Sequence, residues 1–222
     1  MWQMGKRQAR VTIGEVDGEK TPRVQRIAAA FQRAGFPVVI SPDMDAWLKW
    51  HAALVLPLAG AIYAAGGDNY RLARTRDAVV LAVRAIREGF AALRNLGFPM
   101  APRSLWPYAW LPEPLLVPLA QRYLDTTLAE IALTGHANAA RDEMKAFADE
   151  FRDLCRTAGV PTPNWDRLYG YIDPTVPPLP EGSAKLGLDW NGLLWVGAAL
   201  LAGTVLLGKQ LRAGRRNEAG RG

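Results

Sequence analysis

Two hydrophobic periods divide the chain. Residues 10–15, within ARVTIGEVDG, predict a short strand that runs into a turn at Asp17-Gly18. TPRVQRIAAAFQRAGF then predicts a helix, with Thr21 as N-cap, Pro22 at its first position and Gly35 as its stop. Val24, Ile27, Ala28 and Phe31 fall on one face of it. PVVIS predicts a second strand, so residues 1–40 resemble the end of an α/β sheet. From Ser41 the period becomes helical. Ser41 as cap and Pro42 as first residue predict a helix that runs to Gly66-Gly67. Residues 68–96 predict one long amphipathic helix closed by Gly97. FPMAPRSLWPYAWLPEP is too rich in proline for a continuous helix. Helical pattern resumes over residues 114–132 and 138–158, with Gly159 and GVPTP closing the latter, and a short helix is expected over 164–171. DPTVPPLPEGS predicts an extended linker.

The predicted fold class is therefore mainly α. A strand–helix–strand piece (1–40) leads into a helical domain (41–175), a Pro-rich linker (176–189), an apolar segment (190–208) and a basic tail (209–222). Residues 190–208 hold no charged side chain, and their 19 positions are close to the ~20 that span a bilayer core. Trp190 and Trp195 lie at one end, where aromatic side chains favour the membrane interface. Ala199 and Gly203 form a small-xxx-small pair. A transmembrane helix is the expectation, and a buried core helix is the alternative. Nothing at residues 1–10 has the apolar run of a secretory signal. The expected location is cytoplasmic, with a membrane anchor at 190–208.

Charge sharpens this division. The whole chain carries +6, but five basic residues against one acidic residue after Gly208 account for +4 of it. The body is nearly neutral, and no nucleic-acid partner is expected. One cysteine, Cys155, excludes an intrachain disulfide and suits a reducing compartment. Two histidines and one cysteine, widely spaced, form no metal-ligand cluster.

WLKWHAALVLPLAGAIY is the most unusual stretch for chemistry, because Lys49 sits on an otherwise apolar helix that also carries His51 and Pro57. A lysine there either reaches out to water or is held for a purpose. A lysine shielded from water gives up its proton more readily, as a general acid near neutral pH must. His51, two residues on, points to another face. Asp68 and Asn69 are helix-capping residues first and ligand contacts second.

The order IGEVDG, helix, AGFPVVISPDMDAWLKW, PLAGAIY and then ARDEMKAFADEFRDLCRTAGVPTP resembles the C-terminal half of the ketopantoate reductases, the NADPH-dependent 2-dehydropantoate 2-reductases of pantothenate synthesis. The resemblance spans residues 11–171. Its most specific parts are Trp47-x-Lys49 and the spacing of Glu143, Gly159 and Pro163. It implies an all-helical substrate domain of the 6-phosphogluconate dehydrogenase C-terminal type, a small 2-oxoacid substrate, NADPH as cofactor and a possible homodimer. It implies Lys49 as the acid that protonates the carbonyl oxygen as hydride arrives, and Glu143 as a ligand contact.

Two departures qualify what the resemblance implies. Asparagines expected one and two turns after the lysine are replaced by Ala53 and Pro57, and lost polar partners of that kind cost about 1–3 kcal/mol each. Pro57 has no N–H, so the Ala53 carbonyl is left free. A kink that aims this carbonyl into the cleft is the expected substitute. In TGHANAARDE, His136 and Asn138 are the nearest candidates for a substrate carboxylate, and His136 is equally suited to capping the next helix. The second departure is larger. No G-x-G-x-x-G follows a strand, and Gly14 to Gly18 form a turn instead. The chain is then expected to be a truncated reductase, or to supply the substrate domain of a reductase whose Rossmann half is a separate chain, or to be a non-catalytic, membrane-tethered interaction or dimerisation module.

Overall fold

The structure, a computed structural model, describes residues 10–193 and residue 197. It begins with the expected strand–helix–strand unit. β1 (Val11–Ile13) pairs in parallel with β2 (Val38–Ile40), Val11 opposite Val38. The crossover helix α1 (Pro22–Arg33) starts where Thr21 accepts a hydrogen bond from the Val24 N–H at 3.2 Å. Only Val24 and Ala28 of its apolar face are buried. Ile27 and Phe31 remain 42% and 38% exposed, and Val39 on β2 is 40% exposed. Among the described residues the sheet has two strands, so both its edges are open.

The helical body is built on α2 (Met44–Ala64) and α4 (Arg76–Asn95). Asp43, not Ser41, caps α2, accepting from the Ala46 N–H at 2.8 Å. The backbone N–H of Ser41 is committed to the sheet, where it donates to the Ile13 carbonyl at 2.7 Å, so the chain stays extended for two more residues. At its far end α2 closes on Gly66 and Gly67, whose φ of +77° and +84° only glycine adopts without strain. Trp50 of α2 packs edge-on to Phe90 of α4 with ring centroids 4.8 Å apart, and both side chains are fully buried. Burial of such rings and of the leucine, isoleucine and valine side chains around them is the main stabilising term.

The expected helix over 68–96 is two helices. α3 (Asn69–Arg74) ends at Thr75, whose hydroxyl donates to the Arg71 carbonyl at 2.8 Å, and α4 starts one residue later. α5 (Trp106–Trp110) and α6 (Glu113–Leu124) follow the proline-rich loop. The helix expected over 114–132 also breaks, at Asp125. Thr126 starts a new capped turn, α7 (Thr127–Ala129), which continues as a π-helical turn (Glu130–Thr134) into α8 (Gly135–Ala139). α9 (Arg141–Ala158) and α10 (Pro163–Gly170) complete the body. The mainly helical class is thus observed.

The segment expected as a linker is instead a strap fastened along the body. The Leu179 N–H donates to the Ala64 carbonyl at 2.8 Å, and Arg71 donates to the Leu179 carbonyl at 2.8 Å. Further on, Arg74 pairs with Glu181 and Arg84 holds the Gly187 carbonyl at 2.7 Å. Of the apolar segment expected to span a membrane, residues 190–193 and 197 are described; the rest, with the basic tail, lies outside the described residues. Among the described residues no helix is long and apolar enough to cross a membrane.

Candidate functional site

Lys49 lies in the second turn of α2. Its ammonium pairs with Asp45 one turn earlier and sits 4.6 Å above the Phe98 ring. The side chain is 26% exposed, so it reaches water along an apolar surface. His51 stacks on the Trp47 indole at 4.9 Å, and loss of water around the ring pulls its pKa below the ordinary histidine value.

The companions expected for Lys49 are elsewhere. Glu143 is exposed in the first turn of α9 and makes no hydrogen bond or ion pair among the described residues. α2 and α9 run antiparallel. Ala53 and Phe151 both stand 3.3 Å from where a Cβ on Gly89 would be, and Arg141 lies 4.0 Å over the Tyr63 ring. That register puts Lys49 level with about residue 155, so Glu143 is about 18 Å away along the helix axis at 1.5 Å per residue.

The remaining candidates serve the fold. Asn69 is 1% exposed. Its amide donates to the carbonyls of Leu124 at 2.8 Å and Thr126 at 3.3 Å, and its carbonyl accepts from the Thr134 hydroxyl at 3.1 Å. It ties α3 to the break after α6, with both amide N–H groups spent on backbone carbonyls. Asp68 caps α3, accepting from the N–H groups of Tyr70 and Arg71. Asn138 donates to the Gly67 carbonyl at 2.8 Å and so pins the turn after α2. His136 is exposed on α8 and does not cap α9, whose N-cap Ala140 has no side-chain cap. Ala53 corrects the expectation drawn from Pro57. α2 runs unbroken through Pro57, and Ala53 is 0% exposed, wedged towards Gly89 and Phe151. No part of the residue, its carbonyl included, reaches solvent.

A recess does open beside Pro57, lined by Leu56, Gly60, Ala148, Trp165, Leu168, Tyr169 and Ile172. Its volume of about 10 Å³ holds roughly one water molecule. At its lip the Tyr169 hydroxyl donates to Asp149 and accepts from Lys145 at 3.1 Å, while Arg152 covers the ring at 4.5 Å. Hydrogen bonds from Lys145 and Tyr169 hold the Asp149 carboxyl below the usual range. These groups clamp α9 to α10 around a space too small for a 2-oxoacid.

The residues most strongly organised by the structure were not singled out from the sequence. Asp77, Arg84 and Glu88 share one face of α4, and each fastens a distant piece of backbone. Asp77, 4% exposed, accepts from the N–H groups of Lys185 at 3.0 Å and Leu186 at 2.8 Å and from the Ser183 hydroxyl. Burial alone would raise its pKa, but those three donors outweigh it and hold the carboxyl below the ordinary range. Arg84 grips Glu113 at the head of α6. Glu88 accepts from the N–H groups of Asn164 and Trp165 and so caps α10. The helical spacing of 77, 84 and 88 is the signal that was present in the sequence.

The Gly14–Gly18 turn is closely packed. A Cβ at Gly14 would lie 2.8 Å from the Ser41 carbonyl oxygen, and one at Gly18 would lie 2.1 Å from that of Pro42. These glycines let the turn pass close under the entry to α2 and leave no cradle for a pyrophosphate. Glu15 in the same turn is bonded to Thr21 and Arg23. Among the described residues no three His, Cys, Asp or Glu side chains gather as a metal site. Neither a family model, a curated protein nor a solved structure matches the chain.

Proposed function

We propose that the chain is a non-catalytic, membrane-tethered assembly module. The offset of Lys49 from Glu143 carries this reading, because their backbone positions, which a reductase would bring to one site, lie about 18 Å apart along the antiparallel α2 and α9. The use of Asn69, Asn138 and Ala53 by the fold supports it. So does the open β1–β2 unit. Parallel strands occur almost only where both faces of the sheet are covered, yet Ile27, Phe31 and Val39 are exposed here. A partner that adds strands and an apolar layer suits that face. The anchor is the charge-free segment 190–208.

A photo-cross-linking residue at position 39 tests the docking face in native membranes. A cross-link to one polypeptide is expected there, and none from exposed Glu150 on α9; no cross-link at 39 contradicts the reading.

One observation favours a second reading, the substrate domain of an NADPH-dependent 2-oxoacid reductase completed by a separate Rossmann chain. The partly exposed Lys49 side chain lies two turns from the β2 end of the body, the end where a sheet-bearing partner would dock. NADPH-dependent turnover of a branched 2-oxoacid, abolished by Lys49→Ala, would establish it in place of the first.

A further inference from the structure

We propose that the outer face of α5 and α6 rests on a lipid bilayer surface, with its aromatic and leucine side chains at the headgroup boundary. The proposal builds on the membrane tether of the function proposed above and adds how the body meets the membrane.

Trp106 and Trp110, one turn apart on α5, are 56% and 57% exposed. On α6, Leu115, Leu119 and Tyr123 recur every fourth position and are 42%, 58% and 43% exposed. Consecutive apolar positions on one outward helix face are not a scatter of single surface residues, and patches of this kind mark contact sites. The composition is that of an interfacial surface, with tryptophan and tyrosine beside leucine. Exposed Arg103 and Arg122 flank it and suit anionic headgroups. The one acid at the head of α6, Glu113, is turned inward onto Arg84 and is 3% exposed.

The strap points to the same occupant. The Asp189 N–H donates to Glu113 at 2.8 Å, and a Cβ on Gly192 would lie 3.3 Å from the Pro112 ring. The chain is thereby held at the junction of α5 and α6, with Trp190 59% exposed between those two contacts. From there to Gly208 the sequence holds no charge. Apolar face and charge-free segment thus start from the same place on the body.

The test labels full-length protein with an environment-sensitive fluorophore at Leu119→Cys or Trp110→Cys, both exposed positions. Cys155 is buried and its thiol is pushed up to about 12 by burial, so the introduced cysteine takes the label. Glu150→Cys on α9 is the control, since α9 meets α4 at Gly89, away from the Arg84 side that holds α6. With phosphatidylcholine–phosphatidylglycerol vesicles, emission from 119 and 110 is expected to rise roughly threefold and that from 150 to stay unchanged, as a headgroup-boundary position requires. Vesicle-bound protein with a silent label at 119 and 110 overturns this inference and leaves the tether standing. Protein that does not bind vesicles overturns the tether and this inference together. A rise that follows protein concentration without vesicles assigns the face to a second copy of the chain and also overturns it.

Discussion

Arg84 and Glu113 form a two-pronged ion pair across the α4–α6 contact, Nε to Oε1 and Nη2 to Oε2, each at 2.9 Å. The second carboxylate oxygen also accepts the Asp189 N–H, so one buried acid joins two helices and the strap. Removing the arginine leaves Glu113 buried with Arg87 3.9 Å away as its remaining cation. Arg84→Ala is expected to cost about 2–4 kcal/mol, read as a lower urea midpoint at unchanged slope. An unchanged midpoint would show that the pair is incidental.

Acid should release the strap. Asp77 and Glu113 both titrate below the ordinary carboxylate range: burial pushes each up, and Ser183 with the Leu186 and Lys185 amides, or Arg84 with the Asp189 amide, more than offsets it. A lowered folded-state pKa contributes stability that is present above the unfolded value of about 4 and is lost as pH falls through the folded value. Relative to the intrinsic rate at each pH, exchange of the Lys185, Leu186 and Asp189 amides is therefore expected to quicken below about pH 4, and Asp77→Asn to quicken that of Lys185 and Leu186 at neutral pH. Equal protection of these amides in that variant would contradict the assignment.

Asn69 separates a structural role from a ligand role. Asn69→Ala removes three hydrogen bonds, two of them buried, and leaves the carbonyls of Leu124 and Thr126 without that donor. A loss of about 2–3 kcal/mol is expected in chemical denaturation. A variant of wild-type stability would return Asn69 to the list of ligand-contact candidates.

Gly60 is needed for close packing of α2 on α10. A Cβ there would stand 3.0 Å from the Leu168 Cβ and 3.1 Å from its carbonyl oxygen, and backbone does not yield easily. Gly60→Ala is expected to destabilise by about 1–2 kcal/mol despite alanine's helix preference of about 1 kcal/mol. Gly89→Ala meets side chains at 3.3 Å instead and should be near neutral. The contrast is read by thermal melts of the two variants.

How far the sequence revealed this structure depended on the range of each signal. The Thr21-Pro22 start of α1 and the glycine stops after α2, α4 and α9 are local chemistry, and all are observed. The breaks at Thr75 and Asp125 carry no proline or glycine, so the helical period runs through them in the sequence. The proline-rich strap looked like a linker because its partners, Asp77 and Glu113, lie more than 70 residues away. Lys49 drew attention as a charge in an apolar run. Whether Glu143 stood beside it depended on the antiparallel register of α2 and α9, which only the fold sets. The charged face at 77, 84 and 88 was visible, but such a face is usually solvated, and only the strap and α10 reveal what it holds.

Alkaline carbonate extraction of membranes carrying the chain tests the tether most directly. The full-length chain is predicted to stay in the pellet. A chain ending at Trp190, which keeps the Asp189–Glu113 bond and the helical circular dichroism of the body, is predicted to move to the supernatant. Full-length chain in the supernatant, folded and washed free, would contradict a membrane-tethered module.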